Sequence, residues 1–199
     1  MKRYDRAYFE KWYRDPRHRV RGSADLSRRV HLAVAVAEYL LGRPVRSVLD
    51  VGCGEGTWQS AIRRLRPRAE YVGVDSSSYA VRRFGARRNI RLGRLATLPD
   101  HVGPGPFDLI VCSDVLNYLA PAELARGLRH VRDLLGGVAY LELYTRDDEI
   151  MGDLQGYQRR SSVYYRRLLD RLKLTPCGPH CYAPPWVAEE LPGHQRSDE

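Results

Sequence analysis

The sequence predicts an α/β fold: a doubly wound, mostly parallel sheet with helices on both faces and a helical cap at the N-terminus. Three observations carry this. From Ser47 onward, short apolar runs alternate with helix-length stretches, the pattern of βαβ units rather than of hairpins. Phe107-Asp108-Leu109-Ile110-Val111-Cys112 reads as a central strand. Val48-Leu49-Asp50-Val51 reads as a buried strand that stops at a carboxylate and enters the glycine-rich turn Gly52-Cys53-Gly54-Glu55-Gly56.

Taken in order, Tyr8, Phe9, Trp12 and Tyr13 recur at helical spacing and predict a short amphipathic helix stopped by Asp15-Pro16. A second helix runs from a cap at Ser23 or Asp25 to Leu41, closed by Gly42 and Pro44. Strand 47–51 leads to a helix from Thr57 that ends before Pro67. Strand 70–74 leads to a helix from about Ser77 to Phe84, and a weak strand follows near 89–92. A Gly/Pro-rich connection, 99–106, precedes strand 107–112. Pro121 opens a helix that runs to Leu135. Gly136-Gly137 is expected to turn into strand Val138–Leu143, with a helix near 160–171 and short strands over 172–183 completing the fold. Residues 1–44 are thus expected as a helical lid, 45–183 as the core and 184–199 as a flexible tail.

Bulk properties narrow the class. A chain of 199 residues suits one domain with its own core. No apolar run is long enough to span a bilayer, and the four cysteines have no repeated spacing. The expected location is therefore the cytoplasm, with no membrane partner. The formal charge is +9, and 30 of the 33 basic residues are arginine. Such a balance can signal nucleic acid, but the arginines are scattered and no basic tail or RNA-binding signature accompanies them.

The glycine turn carries the chemistry. Gly52 and Gly54 let backbone pass close beneath a ligand, and Gly56 lets the next helix pack on the strand. The spacing is GxGxG, one residue tighter than the usual dinucleotide turn. A carboxylate at Asp50 would repel a pyrophosphate but suit a ligand bearing an ammonium. Asp75, nineteen residues after Gly56, ends the second strand, where a carboxylate can accept both ribose hydroxyls or cap the helix that follows. Two acids and a glycine turn point to a cationic nucleoside, S-adenosylmethionine.

With Tyr71-Val72-Gly73-Val74-Asp75 and Phe107 to Leu116, this turn resembles the class I S-adenosylmethionine-dependent methyltransferases over about residues 45–145. The resemblance implies a Rossmann-like seven-stranded sheet, order 3-2-1-4-5-7-6, with the last strand antiparallel. It implies cofactor contacts from Asp50, Gly52, Cys53, Gly54, Gly56, Asp75, Ser76, Leu95 and Ser113. One departure stands out: Arg94 lies where many relatives carry an acid that binds the adenine amino group. Arginine has no acceptor, so adenine recognition falls to backbone groups of Leu95 or Ala96.

Beyond the sulfur, Asp114, Asn117 and Tyr118 follow the central strand and are candidates for the acceptor wall. Asp114, Tyr118 and His180 are the candidate catalytic groups. Asn117, Tyr144, Trp12 and Tyr13 are the candidate acceptor contacts, with helix capping and packing the alternative for Asn117 and Tyr118. Glu142, Tyr144 and Asp147-Asp148-Glu149 form either an acidic rim or a solvated loop, the latter favoured. Cys177-Gly178-Pro179-His180-Cys181 reads as a tight turn between short strands rather than a metal site, which needs four ligands. The expected activity is methyl transfer to an oxygen or nitrogen of a small molecule. Methylation of RNA or protein, and a binding-only sensor or partner subunit, are the rivals.

Overall fold

In the computed structural model, residues 2–19 and 22–196 are described. Seven strands form one sheet: β1 (Ser47–Val51), β2 (Glu70–Asp75), β3 (Ile90–Leu92), β4 (Phe107–Cys112), β5 (Leu135–Leu141), β6 (Thr175–Gly178) and β7 (Cys181–Ala183). Their order is β3-β2-β1-β4-β5-β7-β6. β7 runs antiparallel to both β5 and β6, and the other neighbours are parallel. The sheet order and the reversed strand are those the resemblance implied.

Strand alternation builds two cores. Val48, Leu109, Val111, Val138 and Tyr140 point to one face, against α2 (Ser23–Leu41) and α3 (Thr57–Leu65). Leu49, Val51, Ile110, Cys112, Ala139 and Leu141 point to the other, against α5 (Pro121–Leu134) and α6 (Ser162–Arg171). Both faces of β1 and β4 are therefore covered, which explains why those strands read as continuous apolar runs. The one acid within β4, Asp108, sits at its start, where Arg43 donates two hydrogen bonds of 2.8 and 2.7 Å to it.

Three expectations change. The N-terminal helix is α1 (Arg6–Phe9) followed by a wider π-helical turn, Glu10–Arg14, in which Asp15 N–H reaches back to the Glu10 carbonyl. β5 begins at Leu135 and runs through Gly136-Gly137 instead of turning there. β4 passes so close that a Cβ on Gly137 would stand 2.2 Å from the Asp108 carbonyl oxygen. The expected flexible tail instead folds through residue 191: α7 (Pro185–Ala188) buries Val187 and Ala188 in the α2 core, and the turn after it buries Leu191 there. No helix among the described residues is long and apolar enough to cross a membrane.

Candidate active site

The glycine turn leaves β1 at the carboxyl edge of the sheet and folds over the end of β2. Gly52 and Cys53 N–H both donate to the Val74 carbonyl, at 2.8 and 3.3 Å. Gly52 has φ 70° and Gly54 φ 55°, a region that side chains other than glycine's seldom enter. A Cβ on Gly52 would stand 2.2 Å from Val115 Cγ2. The Cys53 side chain is buried and its thiol is raised by that burial, so of Cys53 only backbone borders the turn.

The two strand-end acids have different surroundings. Asp75 Oδ2 accepts Gly54 N–H and Oδ1 accepts Ser77 N–H, both at 2.7 Å. A carboxylate has about four lone-pair sites, so among the described residues each oxygen accepts one hydrogen bond and keeps one site. Burial raises the Asp75 carboxyl, while the Ser77 and Gly54 N–H groups work against that rise. Asp50 is deeper, 1% exposed, and accepts the Tyr71 hydroxyl at 2.6 Å. Burial pushes its carboxyl up to about 7, the Tyr71 bond opposes this, and the Asp75 charge adds to it. Asp50 therefore lies beneath the turn, hydrogen-bonded to protein, and not on its open side. Ser76, the residue after Asp75, is exposed. Ser77 is buried, caps α4 (Ser78–Arg88) through Ala80 N–H, and donates to the Tyr4 carbonyl.

The N-terminal segment closes over this floor. Phe9 is buried and packs on Tyr13 and Tyr79, with ring centroids 5.0 and 5.6 Å away. The Tyr13 hydroxyl lies 2.6 Å from where a Cβ on Gly54 would stand. Its burial holds it well above the usual phenol value, though the residue as a whole is 37% exposed. Arg14 grips Glu55 with two hydrogen bonds of 2.8 and 3.0 Å. Trp12 turns aside and packs edge-on against His18, at 5.8 Å.

On the acceptor side, Asp114 is exposed at the end of β4, with φ 57°, a conformation aspartate tolerates better than most residues. Tyr118 stands beside it; burial and then the Asp114 charge hold its hydroxyl well above the phenol value. That hydroxyl donates to the Asp153 carbonyl at 2.6 Å. Asn117, 3% exposed, faces protein: its amide donates to the Tyr144 carbonyl (2.7 Å) and the Tyr165 hydroxyl (3.0 Å), and its side-chain oxygen accepts Tyr144 N–H (3.2 Å). It clamps the loop after β5 and does not line an open wall.

Ser113 donates to Glu142 at 2.8 Å and accepts from Arg29 at 3.0 Å. Glu142 is 1% exposed and also bound by Arg29 and Tyr140, so it belongs to the protein interior and not to a rim. Asp148 caps Thr145 in an exposed turn, as a solvated loop does. His180 sits in the β6–β7 turn at the same edge of the sheet, its ring edge-on to Tyr140 and Tyr144, each 5.7 Å away. The structure thus brings Asp114 and Tyr118 together and leaves His180 with Tyr144 along the sheet.

At the far end, Leu95 opens a 3₁₀ turn, Leu95–Asp100, with its side chain buried against Gly127. Leading N–H groups of a helical turn lack partners within it, so the backbone at Leu95 and Ala96 offers donors. The Ala96 carbonyl is engaged by His130 at 3.1 Å, and Arg94 is exposed. The long-range contacts of Arg14 with Glu55, Arg29 with Ser113 and Glu142, and Ser77 with Tyr4 have no local signal in the sequence.

The donor set (two carboxylates, backbone N–H groups, and a glycine surface that a Cβ would fill) fits a nucleoside bearing positive charge and disfavours a diphosphate. A family profile described as a methyltransferase domain matches residues 49–138. The trans-aconitate 2-methyltransferase of Deinococcus radiodurans is 32% identical over 112 residues, covering 53% of this chain and 41% of that protein. The ribosomal protein L11 methyltransferase of Cupriavidus necator is 33% identical over 97 residues, covering 48% and 31%. The chain thus spans well under half the length of these relatives. The sugar N-methyltransferase KedS8 of Streptoalloteichus superimposes with a TM-score of 0.63 at 18% identity, covering 80% of this chain and 88% of its own. Sheet order, glycine turn and matched profile agree on a methyltransferase domain over residues 49–138, the part of the chain that resembles the class I S-adenosylmethionine-dependent methyltransferases.

Proposed function

We propose that the protein transfers a methyl group from S-adenosylmethionine to an oxygen or nitrogen nucleophile of a small molecule. The observation that carries this is Asp75. Its carboxylate is fixed at the end of β2 by two backbone N–H groups, with one lone pair per oxygen still open beside the glycine turn. Bound there, the cofactor supplies a sulfonium methyl, an electrophile that needs chiefly an aligned nucleophile.

The chain's residues then divide the work. Asp75 takes the ribose hydroxyls. The backbone of Gly52 to Gly54 supports the methionine part, with Asp50 beneath it adding negative charge when ionised. The N-terminal segment, held by Phe9 and Arg14, excludes water. Asp114 takes the proton of a hydroxyl acceptor, as an exposed carboxylate at the strand end can. Tyr118, its hydroxyl raised and donating to Asp153, positions and does not act as a base.

A small acceptor is favoured because the N-terminal segment roofs the strand ends and tyrosines line the approach. Several arginines behind the basic charge also serve internal pairs: Arg29 with Glu142, Arg43 with Asp108, Arg66 with Glu38. The test is release of S-adenosylhomocysteine across a panel of small amines, alcohols and carboxylic acids, with RNA as a further arm. Turnover on one small class, reduced at least tenfold in Asp114→Asn for an alcohol, supports the reading. Methyl incorporation into RNA alone, with steep salt dependence, would overturn the small-acceptor assignment.

A further inference from the structure

We propose that the tyrosine cage around the Lys2 ammonium is a recognition site for an alkylammonium group of the acceptor, occupied by Lys2 until the acceptor arrives. Lys2 Nζ lies 4.0 Å from the centroid of the Tyr118 ring, 5.2 Å from Tyr4 and 5.3 Å from Tyr8. Asp153 Oδ2 is 2.6 Å away, and the Lys2 and Asp153 side chains are only 13% and 14% exposed. A fifth contact, from Nζ to the Gln155 carbonyl, is longer at 3.4 Å.

Pinning the N-terminal segment needs one carboxylate. Three ring faces within about 6 Å of one cation, with a carboxylate behind them, form the geometry by which proteins recognise ammonium ligands. The cage also stands without Lys2. The Tyr4 backbone is held by Ser77 Oγ at 2.5 Å, and the Tyr118 hydroxyl is tied to the Asp153 carbonyl at 2.6 Å. Rotation of the flexible Lys2 stem is enough to empty it. Beside it, Tyr157 meets Tyr118 edge-on at 5.5 Å, and its buried hydroxyl has no hydrogen-bond partner among the described residues. An occupant with a polar group next to its ammonium would satisfy that hydroxyl.

The cage shares the Asp114 edge of the cleft: Tyr118 follows Asp114 by four residues, and the Asp114 charge raises its hydroxyl after burial does, acting on Tyr4 and Tyr8 only behind burial and the Asp153 charge. Its assignment to the acceptor rests on the methyltransferase reading above. The cofactor's own ammonium is the other source of the same chemistry, and the experiment separates the two.

The probe is choline, titrated by calorimetry into the full chain with and without saturating S-adenosylhomocysteine, with 3,3-dimethyl-1-butanol as its neutral counterpart. Lys2→Ala is expected to bind choline at least tenfold more tightly than the wild type, with no such gain for the neutral alcohol. S-adenosylhomocysteine should leave that gain intact, and adding Tyr118→Leu or Asp153→Asn should remove it. No gain in Lys2→Ala, or an equal gain for the alcohol, would overturn the cage. A gain abolished by S-adenosylhomocysteine would give the cage to the cofactor and overturn its assignment to the acceptor. Binding of S-adenosylhomocysteine by the same samples reports folding; its absence in the wild type would count against the methyltransferase reading and not against the cage.

Discussion

At the scale of single residues, Asp50 and Asp75 show how one residue type meets two surroundings at the ends of neighbouring strands. Asp75 keeps lone pairs toward the cleft, whereas Asp50 is sealed under the turn against Tyr71. Burial raises Asp50 from 3.8 to about 7. A raised carboxyl means that the folded protein holds a proton which the unfolded chain releases. Asp50 therefore lowers stability progressively as pH rises from about 4 to about 7, and the deficit persists above that. Asparagine keeps an oxygen for the Tyr71 hydroxyl and removes the charge. Asp50→Asn should be more stable than the wild type at pH 8, by roughly 2–4 kcal/mol, and nearly equal to it at pH 4. Urea unfolding at the two pH values checks this, and a variant less stable at pH 8 would show that the ionised form is favoured by the fold.

At the scale of elements, the cleft is shaped by two segments laid over the strand ends. One is the stretch from Tyr4 to Arg14, joined to the core through Ser77, Tyr79 and Glu55. The other is the loop between β5 and α6, fastened by Asn117 through Tyr144 and by the Gln158 N–H to the Asn117 carbonyl at 2.7 Å. Arg160 secures the end of that loop through the Leu116 and Leu119 carbonyls. Asn117→Ala removes the hydrogen bonds to the Tyr144 N–H and carbonyl and to the Tyr165 hydroxyl, a loss of about 1–3 kcal/mol for each group left unsatisfied. Because the core strands do not depend on this clamp, the effect should be local. Hydrogen exchange in residues 144–160 is expected to rise at least tenfold while β1 and β4 stay protected. Uniformly faster exchange would mean that Asn117 supports the whole domain; no change would mean that the contacts left in place, Arg160 and the Gln158–Asn117 backbone bond among them, hold the loop without the amide.

At the scale of the whole molecule, the sheet and the glycine turn beside Asp75 are legible in the sequence because their determinants are local. Two-sided apolar runs mark β1 and β4, and the glycine turn and Asp75 follow within a single βαβ unit. What could not be read depends on distant contacts. Gly136-Gly137 carries a turn signal, but the close approach of β4 makes it strand. Pro184 and Pro185 suggest a frayed tail, yet Val187, Ala188 and Leu191 hold that segment on α2. Asn117 carries the same amide whether it faces acceptor or loop, and its partners lie up to 48 residues away. Lys2 meets Gln155 across 153 positions, and no spacing rule reaches so far. The turn from Gly52 to Gly56 and Asp75 are together expected to hold an S-adenosyl cofactor. Calorimetric titration of S-adenosylhomocysteine into the wild type, Asp75→Ala and Gly54→Val tests it most directly. Micromolar binding by the wild type is expected, with at least a hundredfold loss in both folded variants. No binding by the wild type at millimolar ligand, or undiminished binding by folded Asp75→Ala, would contradict it.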